Sequence, residues 1–279
     1  IYSADMLGLY GLNKSPMLKA LAFADDLVIY VTHRKLEKVR EELEKMFRHI
    51  NDYHNTWKLK INIDKCETVL FRPNVYQVHM KYAVVWRDFE IKRDDNSLPI
   101  THYKIVKYLG MHFDEKLRYN DHVKIQLKKS KAAYFSAIRL FHSKRLNARV
   151  KIICYTSLIR SILTYACQIW FNISSAVMEK LRAFERSCLR ACLNMYKTPE
   201  SNFTQNYSNS QIYNKGNIPR IDNFIIKMTR KHILNSTMVQ SNSLISSMYY
   251  PSPQYFEKIR HKGKVPPEAF PYLDSLGLI

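Results

Sequence analysis

The stretch "LKALAFADDLVIYVT", residues 18–32, sets two adjacent carboxylates, Asp25 and Asp26, between the apolar runs Leu21–Ala24 and Leu27–Val31. Two short apolar runs joined across so brief a break predict a tight hairpin, with strands at Leu18–Ala24 and Leu27–Val31 and the Asp pair at or beside its tip. Carboxylates in an apolar, partly buried setting are costly unless a basic side chain or a metal ion offsets them. Asp is also an ordinary turn former. This stretch alone leaves both readings open.

Working outward, Arg34–Trp57 reads as a long amphipathic helix. Leu36, Val39, Leu43, Met46, Phe47, Ile50, Tyr53 and Trp57 recur at spacings of three and four, with charged residues on the other face. In "LKINIDKCETVLF", Leu59, Ile61 and Ile63 alternate with polar residues, predicting two short strands around a turn at Asp64–Lys65. Further strands are expected at Tyr76–Trp86, Phe89–Ile91 and Lys104–Phe113, with a loop at Lys92–Ser97. Residues 18–113 thus predict an α+β unit with a mostly antiparallel sheet. After Asp114 the period turns helical. Helices are expected at 121–143, 147–171 and 175–195, a small bundle with short connections. Residues 198–216, rich in Asn, Ser, Gln and Tyr, read as a linker. A last helix starts at Pro219, a favoured first helical position, and runs to Leu234. The Pro-rich tail from Tyr249 reads as extended. The expected divisions are 1–113, 114–197 and 198–279.

Charge adds a partner class. The 279 residues carry 44 Lys and Arg against 24 Asp and Glu, a net +20, and residues 114–200 alone hold 17 basic and 6 acidic side chains. Such a field on a folded, aromatic-bearing chain points to a polyanion, nucleic acid first. Lys124, Lys128, Lys129 and Lys131 on the 121–143 helix suit phosphate contacts, which position a duplex without reading its sequence. The five cysteines show no C-x-x-C and no zinc spacing, so they read as buried thiols in a reducing compartment. No signal peptide or membrane span is visible, and the expected location is intracellular, nucleus or cytoplasm, not secreted. Asp94-Asp95, polar on both sides, reads as a solvated turn.

Carboxylates held rigidly at a turn, open to solvent, also suit nucleotidyl transfer. There two Mg²⁺ ions about 4 Å apart activate a 3′-hydroxyl and stabilise the leaving pyrophosphate. "FADD" at Phe23–Asp26 resembles the [YF]-x-D-D box of reverse transcriptases. "LKINIDKCETVLF" (59–71), "YLGMHFDEKLRYNDHV" (108–123), "SLIRSILTYACQIW" (157–170), "LRAFERSCLRACLNMY" (181–196) and the opening "IYSADM" are similar, in order, to blocks of non-LTR retrotransposon enzymes of the jockey-like branch. The resemblance implies a partial polymerase palm, an antiparallel sheet with a long helix, followed by an α-helical thumb. It implies an RNA-directed DNA polymerase acting on an RNA template, a DNA primer and deoxynucleoside triphosphates. Asp25 would be the main metal ligand and Asp26 its supporting carboxylate, with Phe23 shaping the floor of the site. Lys65 would lie near the triphosphate, although a solvated turn lysine is an equal reading. Tyr108, Leu109 and Gly110 would form the primer-gripping hairpin, with Gly110 letting backbone approach the primer.

The family's site uses a further carboxylate from an upstream strand. Asp5, Asp64 and Glu67 are the candidates here, and none sits on an apolar strand that reads as a neighbour of the hairpin. The chain begins at Ile1 without Met and reads as a fragment whose fingers and first catalytic strand are missing. The expectation is a chain that does not polymerise by itself, with an apolar edge prone to association. The alternative is a non-catalytic, basic nucleic-acid-binding remnant.

Overall fold

The computed structural model describes residues 18–71, 90–91 and 100–238. The "IYSADM" opening, Asp5, the strand expected at 76–86, the 92–97 loop with Asp94-Asp95 and the tail from Tyr249 lie outside the described residues. The chain divides into two compact units, Ile1–Tyr108 with Phe113–Leu117, and Leu109–His112 with Arg118–Ile279.

In the first unit, β1 (Leu18–Phe23) and β2 (Asp26–Val31) pair antiparallel, in register from Leu18 opposite Val31 to Phe23 opposite Asp26. Alternation along the strands divides the hairpin into two faces. Leu18, Ala20, Leu27, Ile29 and Val31 pack on Met46, Ile50 and Tyr53 of helix α1 (Leu36–Thr56). Leu21, Phe23 and Tyr30 on the other face are exposed. The apolar spacing of α1 holds to Tyr53, but Trp57 stands outside the helix and is exposed, because Lys58 turns the chain with a left-handed φ of 54°. Residues 59–71 form no strand pair. A 3₁₀ turn, Ile63–Lys65, replaces the hairpin read from their alternation. Ile61 joins the β1–β2–α1 core, and Cys66 packs beside Val39 and Ile100. Thr68 then bridges in parallel to His102. Strands β3 (Glu90–Ile91) and β4 (Ile100–Thr101) pair antiparallel. Lys104–Phe113, expected as one strand, is a hairpin of β5 (Ile105–Tyr108) and β6 (Met111–Asp114). The described strands thus form three two-stranded sheets, a mixed α and antiparallel β arrangement.

The second unit is helical. Helix α2 (Asn120–Ser136) ends before the short α3 (Ile138–Phe141), where the sequence predicts one helix. Its inward row differs too. The apolar residues at helical spacing over 121–143 read as an inward face of Val123, Leu127, Tyr134, Ala137, Ile138 and Phe141. Val123, Tyr134 and Phe141 are buried, Ile138 is exposed, and the polar His122, Gln126 and Ser130 are buried at i, i+4, i+8. Packing against the segment 155–163 sets that row, and hydropathy does not show it.

The helix expected over 147–171 is segmented. It runs as α4 (Ala148–Cys154), a π-helical turn (Tyr155–Arg160), α5 (Ser161–Leu163) and α6 (Cys167–Trp170), with Ala166 left-handed before α6. The wider π turn brings Ile159 and Arg160, adjacent in sequence, both into the interior. Helix α7 (Ser175–Leu193) buries Met178, Leu181, Glu185, Cys188, Leu189 and Cys192. The stretch 198–216, expected as a linker, carries a 3₁₀ turn (Pro199–Ser201) and helix α8 (Asn209–Gly216), the latter started by a Ser208–Gln211 capping box. Helix α9 (Ile221–Met238) begins just after Pro219. Phe141, Tyr155, Ile159, Cys188, Leu189, Cys192 and Ile212 form the core of this unit. The cysteines are free, with Cys167, Cys188 and Cys192 buried. Burial pushes the Cys167 thiol up to about 11 and the Cys192 thiol up to about 12, which keeps both protonated at neutral pH. Among the described residues no helix is long and apolar enough to cross a membrane.

Candidate functional site

Asp25 lies in the two-residue turn between β1 and β2, and Asp26 is the first residue of β2. Ala24, the other turn residue, holds a φ of 53°, a left-handed conformation that costs an alanine energy and that a rigid hairpin maintains. Both carboxylates are exposed, so the desolvation argument of the sequence does not apply at this tip. The strand pairing places Asp26 directly opposite Phe23, on the open face of the hairpin with Leu21 and Val28. Two carboxylates side by side on a fixed, open turn fit Mg²⁺, which accepts one or two carboxylates and takes its remaining oxygens from water or phosphate. Among the described residues no group of three or more His, Cys, Asp or Glu side chains is placed to hold a metal ion.

Tyr108, at the end of β5, comes within electrostatic reach of that tip. Partial burial and the nearby Asp26 carboxylate both push its phenol above the usual range. The 59–71 block is tied to the same stretch. The Glu67 carboxylate accepts from the Lys107 N–H at 3.4 Å, and the Tyr103 N–H donates to the Thr68 carbonyl at 2.8 Å. Lys65 is exposed on its 3₁₀ turn.

The β5–β6 turn has its own support within the second unit. Leu109 and Gly110 take φ values of 46° and 78°, a turn that favours glycine at Gly110. The Tyr165 hydroxyl donates to the Leu109 carbonyl at 2.6 Å, and its ring lies against Gly110 so closely that a Cβ there would stand 3.1 Å from the hydroxyl oxygen. Tyr165 is held in turn. The Trp170 indole donates to its carbonyl at 2.8 Å, and the buried His122 ring lies 6.4 Å from its ring. The His112 N–H donates to His122 Nδ1 at 3.3 Å, closing a small cage around the turn. Burial lowers the His122 pKa, the Tyr165 carbonyl opposing it, which suits a neutral ring accepting that bond. The sequence reading missed Tyr165. Its one signal was a hydroxyl-bearing aromatic in the otherwise apolar "SILTYACQIW".

The lysines named for phosphate contact lie on α2. Lys124 pairs with Asp121 at 2.7 Å, while Lys128, Lys129 and Lys131 are exposed. Lys124, Lys128 and Lys131 share one face at i, i+4, i+7. Behind them, the second unit is fixed by a buried ion pair that hydropathy patterns do not show. Glu185 accepts from the Tyr155 hydroxyl at 3.0 Å, the Tyr213 hydroxyl at 2.8 Å and the Ile221 N–H at 2.8 Å, and pairs with Arg160 at 3.0 Å. Burial pushes the Glu185 carboxyl up, and Arg160 opposes that shift. The Arg160 guanidinium also donates to the Pro219 carbonyl and lies 4.6 Å from the Phe224 ring centroid. One pair thereby ties the π turn, α7 and α9 together.

Residues 6–113, which span the Asp25–Asp26 hairpin and the β5–β6 turn, match the family described as reverse transcriptase (RNA-dependent DNA polymerase). This segment belongs to the reverse transcriptase family. A similar curated protein is the RNA-directed DNA polymerase from mobile element jockey of Drosophila melanogaster, 22% identical over 170 residues. That match covers 60% of this chain and 17% of the relative, so the chain spans a small part of that protein's length. It agrees with the resemblance to non-LTR retrotransposon reverse transcriptases. No solved structure matches the chain significantly. Within the reverse transcriptase segment, Phe23–Asp26 form the hairpin tip, and the Asp26 charge helps raise the Tyr108 phenol of the later block.

Proposed function

We propose that this chain is the palm and thumb portion of an RNA-directed DNA polymerase, and that it holds primer–template without extending it when alone. The observation that carries the reading is the Asp25–Asp26 tip itself. Two exposed carboxylates stand on a strained, tight turn between two paired strands. Asp25 and Asp26 would hold divalent cations there, Mg²⁺ in the cell, two ions in the complete site. Bound cations supply charge stabilisation at the attacking and leaving oxygens of nucleotidyl transfer. The chain's own residues do the rest. The hairpin keeps the two carboxylates adjacent, and Phe23 presents an apolar surface on the same face as Asp26. The Leu109–Gly110 turn, braced by Tyr165, offers a firm backbone edge to the primer strand. Lys65 is available to a triphosphate, and Lys124, Lys128, Lys129 and Lys131 to duplex phosphates. The partners are an RNA template, a DNA primer and deoxynucleoside triphosphates.

Inactivity alone follows from the donor count. Two carboxylates position a cation loosely when no third acidic side chain among the described residues joins them. The second reading, a non-catalytic nucleic-acid-binding protein, is favoured by one observation, the excess charge of residues 114–200. Extension of a DNA primer annealed to RNA, with Mg²⁺ and all four deoxynucleotides, tests the proposal beside an Asp25→Asn/Asp26→Asn variant. The expected result is retained binding and no extension by either protein. Extension that the variant abolishes would overturn the inactivity and uphold the metal role. Loss of primer–template binding in a folded preparation would overturn both readings.

A further inference from the structure

A groove on the second unit shares no residue with the Asp25–Asp26 tip, the β5–β6 turn or the α2 lysines. It has a volume of about 520 Å³ and is lined by Arg186, Ser187 and Arg190 of α7, Tyr196 and Asn206 of the connection to α8, and Asn209 at the start of α8. That volume falls within the ~300–1,000 Å³ of sites that hold a small molecule or one residue of a polymer. Among the described residues no carboxylate lines it. Its side chains are two guanidiniums, two amides and two hydroxyls, one of them on an exposed aromatic ring. A donor-rich set of this kind recognises an oxyanion, and the two arginines, four apart, stand on one helix face.

The connection that forms the far wall is built, not loose. Lys197 and Asn206 pair as an antiparallel bridge, the Thr198 N–H donates to the Gln205 carbonyl at 2.9 Å, and the Tyr207 N–H donates to the Tyr196 carbonyl at 3.4 Å. Inside the loop, Ser201 Oγ receives the Gln205 N–H at 3.0 Å and lies 2.6 Å from Thr198 Oγ1. Arg190 joins the two walls, with its guanidinium donating to the Tyr207 carbonyl at 3.4 Å and to Asn209 Oδ1 at 3.3 Å. Arg186 pairs with Glu179 at 2.6 Å through one of its terminal nitrogens, and its Nε and other terminal nitrogen carry donors besides. Tyr196 is 41% exposed, with its ring at the edge of the groove.

We infer that this groove binds one nucleotide of a single-stranded nucleic acid, its phosphate against Arg186 and Arg190, its base stacked on Tyr196 and its base edge read by Asn206 and Asn209. A duplex offers phosphates but keeps its bases stacked within. The pairing of an aromatic face with cationic donors therefore selects a single strand. The site stands whether or not the polymerase reading holds, since it shares no residue with the Asp25–Asp26 tip.

The test is the binding of fluorescent single-stranded RNA and DNA 12-mers of one sequence, and of a matched duplex, to the full chain by anisotropy at fixed salt. Ser187 is exposed and lies in the groove wall, so Ser187→Asp adds a negative charge there while leaving the surrounding packing in place. The expected result is a loss of about fivefold or more in single-strand affinity for Ser187→Asp and for Tyr196→Ala, with Tyr196→Phe near wild type. Duplex affinity changes less than twofold, and the circular dichroism and melting of each variant match the parent. Preference for the RNA or the DNA strand then identifies the source of the strand. Single-strand affinity unchanged by Ser187→Asp would overturn the site, as would equal loss of duplex and single-strand binding. Arg190→Gln is a second variant, expected to lower the salt slope of single-strand binding by about 0.7.

Discussion

Gly110 and Tyr165 are the residues at which sequence and structure inform each other most. The sequence marked Gly110 as a place where backbone meets a primer. The structure shows that the side on which a Cβ would stand is filled by the Tyr165 ring, and that φ of 78° already favours glycine. Gly110→Ala is therefore expected to destabilise the chain by about 1–2 kcal/mol from the left-handed backbone, and by more because the Tyr165 ring must give way to the new Cβ. Tyr165→Phe, which loses only the bond to the Leu109 carbonyl, is expected to cost about 1 kcal/mol. Because both act at one point of packing, the two effects are coupled. In a Tyr165→Ala background, Gly110→Ala is expected to cost measurably less than in the parent, as read from urea midpoints. Full additivity would show that the ring and the glycine are independent.

At the scale of elements, what the sequence made legible is what periodicity reports. The β1–β2 hairpin and α1 follow from alternation and from the three- and four-residue spacing of Val39, Met46, Ile50 and Tyr53. The 59–71 block alternates equally well, yet it forms a 3₁₀ turn, because its apolar residues are taken up singly by cores already built, Ile61 in one and Cys66 in another. The breaks within 147–171 were illegible for a different reason. A π turn inserts a residue without changing composition, and the Arg160–Glu185 pair that it brings inside joins residues far apart in sequence. The position of the Asp25–Asp26 pair at the hairpin tip was legible from the two apolar runs that flank it. The Tyr165 brace of the β5–β6 turn depends on tertiary packing and was not legible.

The start of α9 offers a test at this scale. Burial raises the Asp222 carboxyl, but bonds from Arg220 and Arg182 outweigh it and hold the group below its ordinary value of 3.8. A carboxyl lowered in the folded state contributes stability that is complete above its unfolded value and is lost as pH falls through the folded one. Asp222→Asn is thus expected to cost about 2 kcal/mol at pH 7, a charge-assisted bond's worth. That cost is expected to shrink as pH falls below 3.8 through the lower native value. Urea unfolding of both proteins at a series of pH values measures it. A cost that does not vary with pH would contradict the assignment.

Across the whole molecule, the charge excess of residues 114–200 is the property most directly linked to a partner. Binding through phosphates releases counterions, so affinity for a duplex is expected to fall steeply with salt. Replacing Lys124, Lys128 and Lys131 by Gln is expected to flatten the slope of log K against log salt by about 0.9 for each phosphate that is no longer neutralised. An unchanged slope would remove α2 from the interface. The exposed Leu21, Phe23 and Tyr30 on the open hairpin face are a surface of the opposite kind, and clustered exposed apolar side chains favour association.

The central claim is that Asp25 and Asp26 together hold a divalent cation. The most direct measurement is paramagnetic broadening of backbone amide signals by Mn²⁺, recorded for the full chain and for Asp25→Asn/Asp26→Asn. Broadening centred on Phe23–Val28 at millimolar Mn²⁺, absent from the variant, is the predicted result. Broadening that spares this turn, or that persists unchanged in the variant, would contradict the claim.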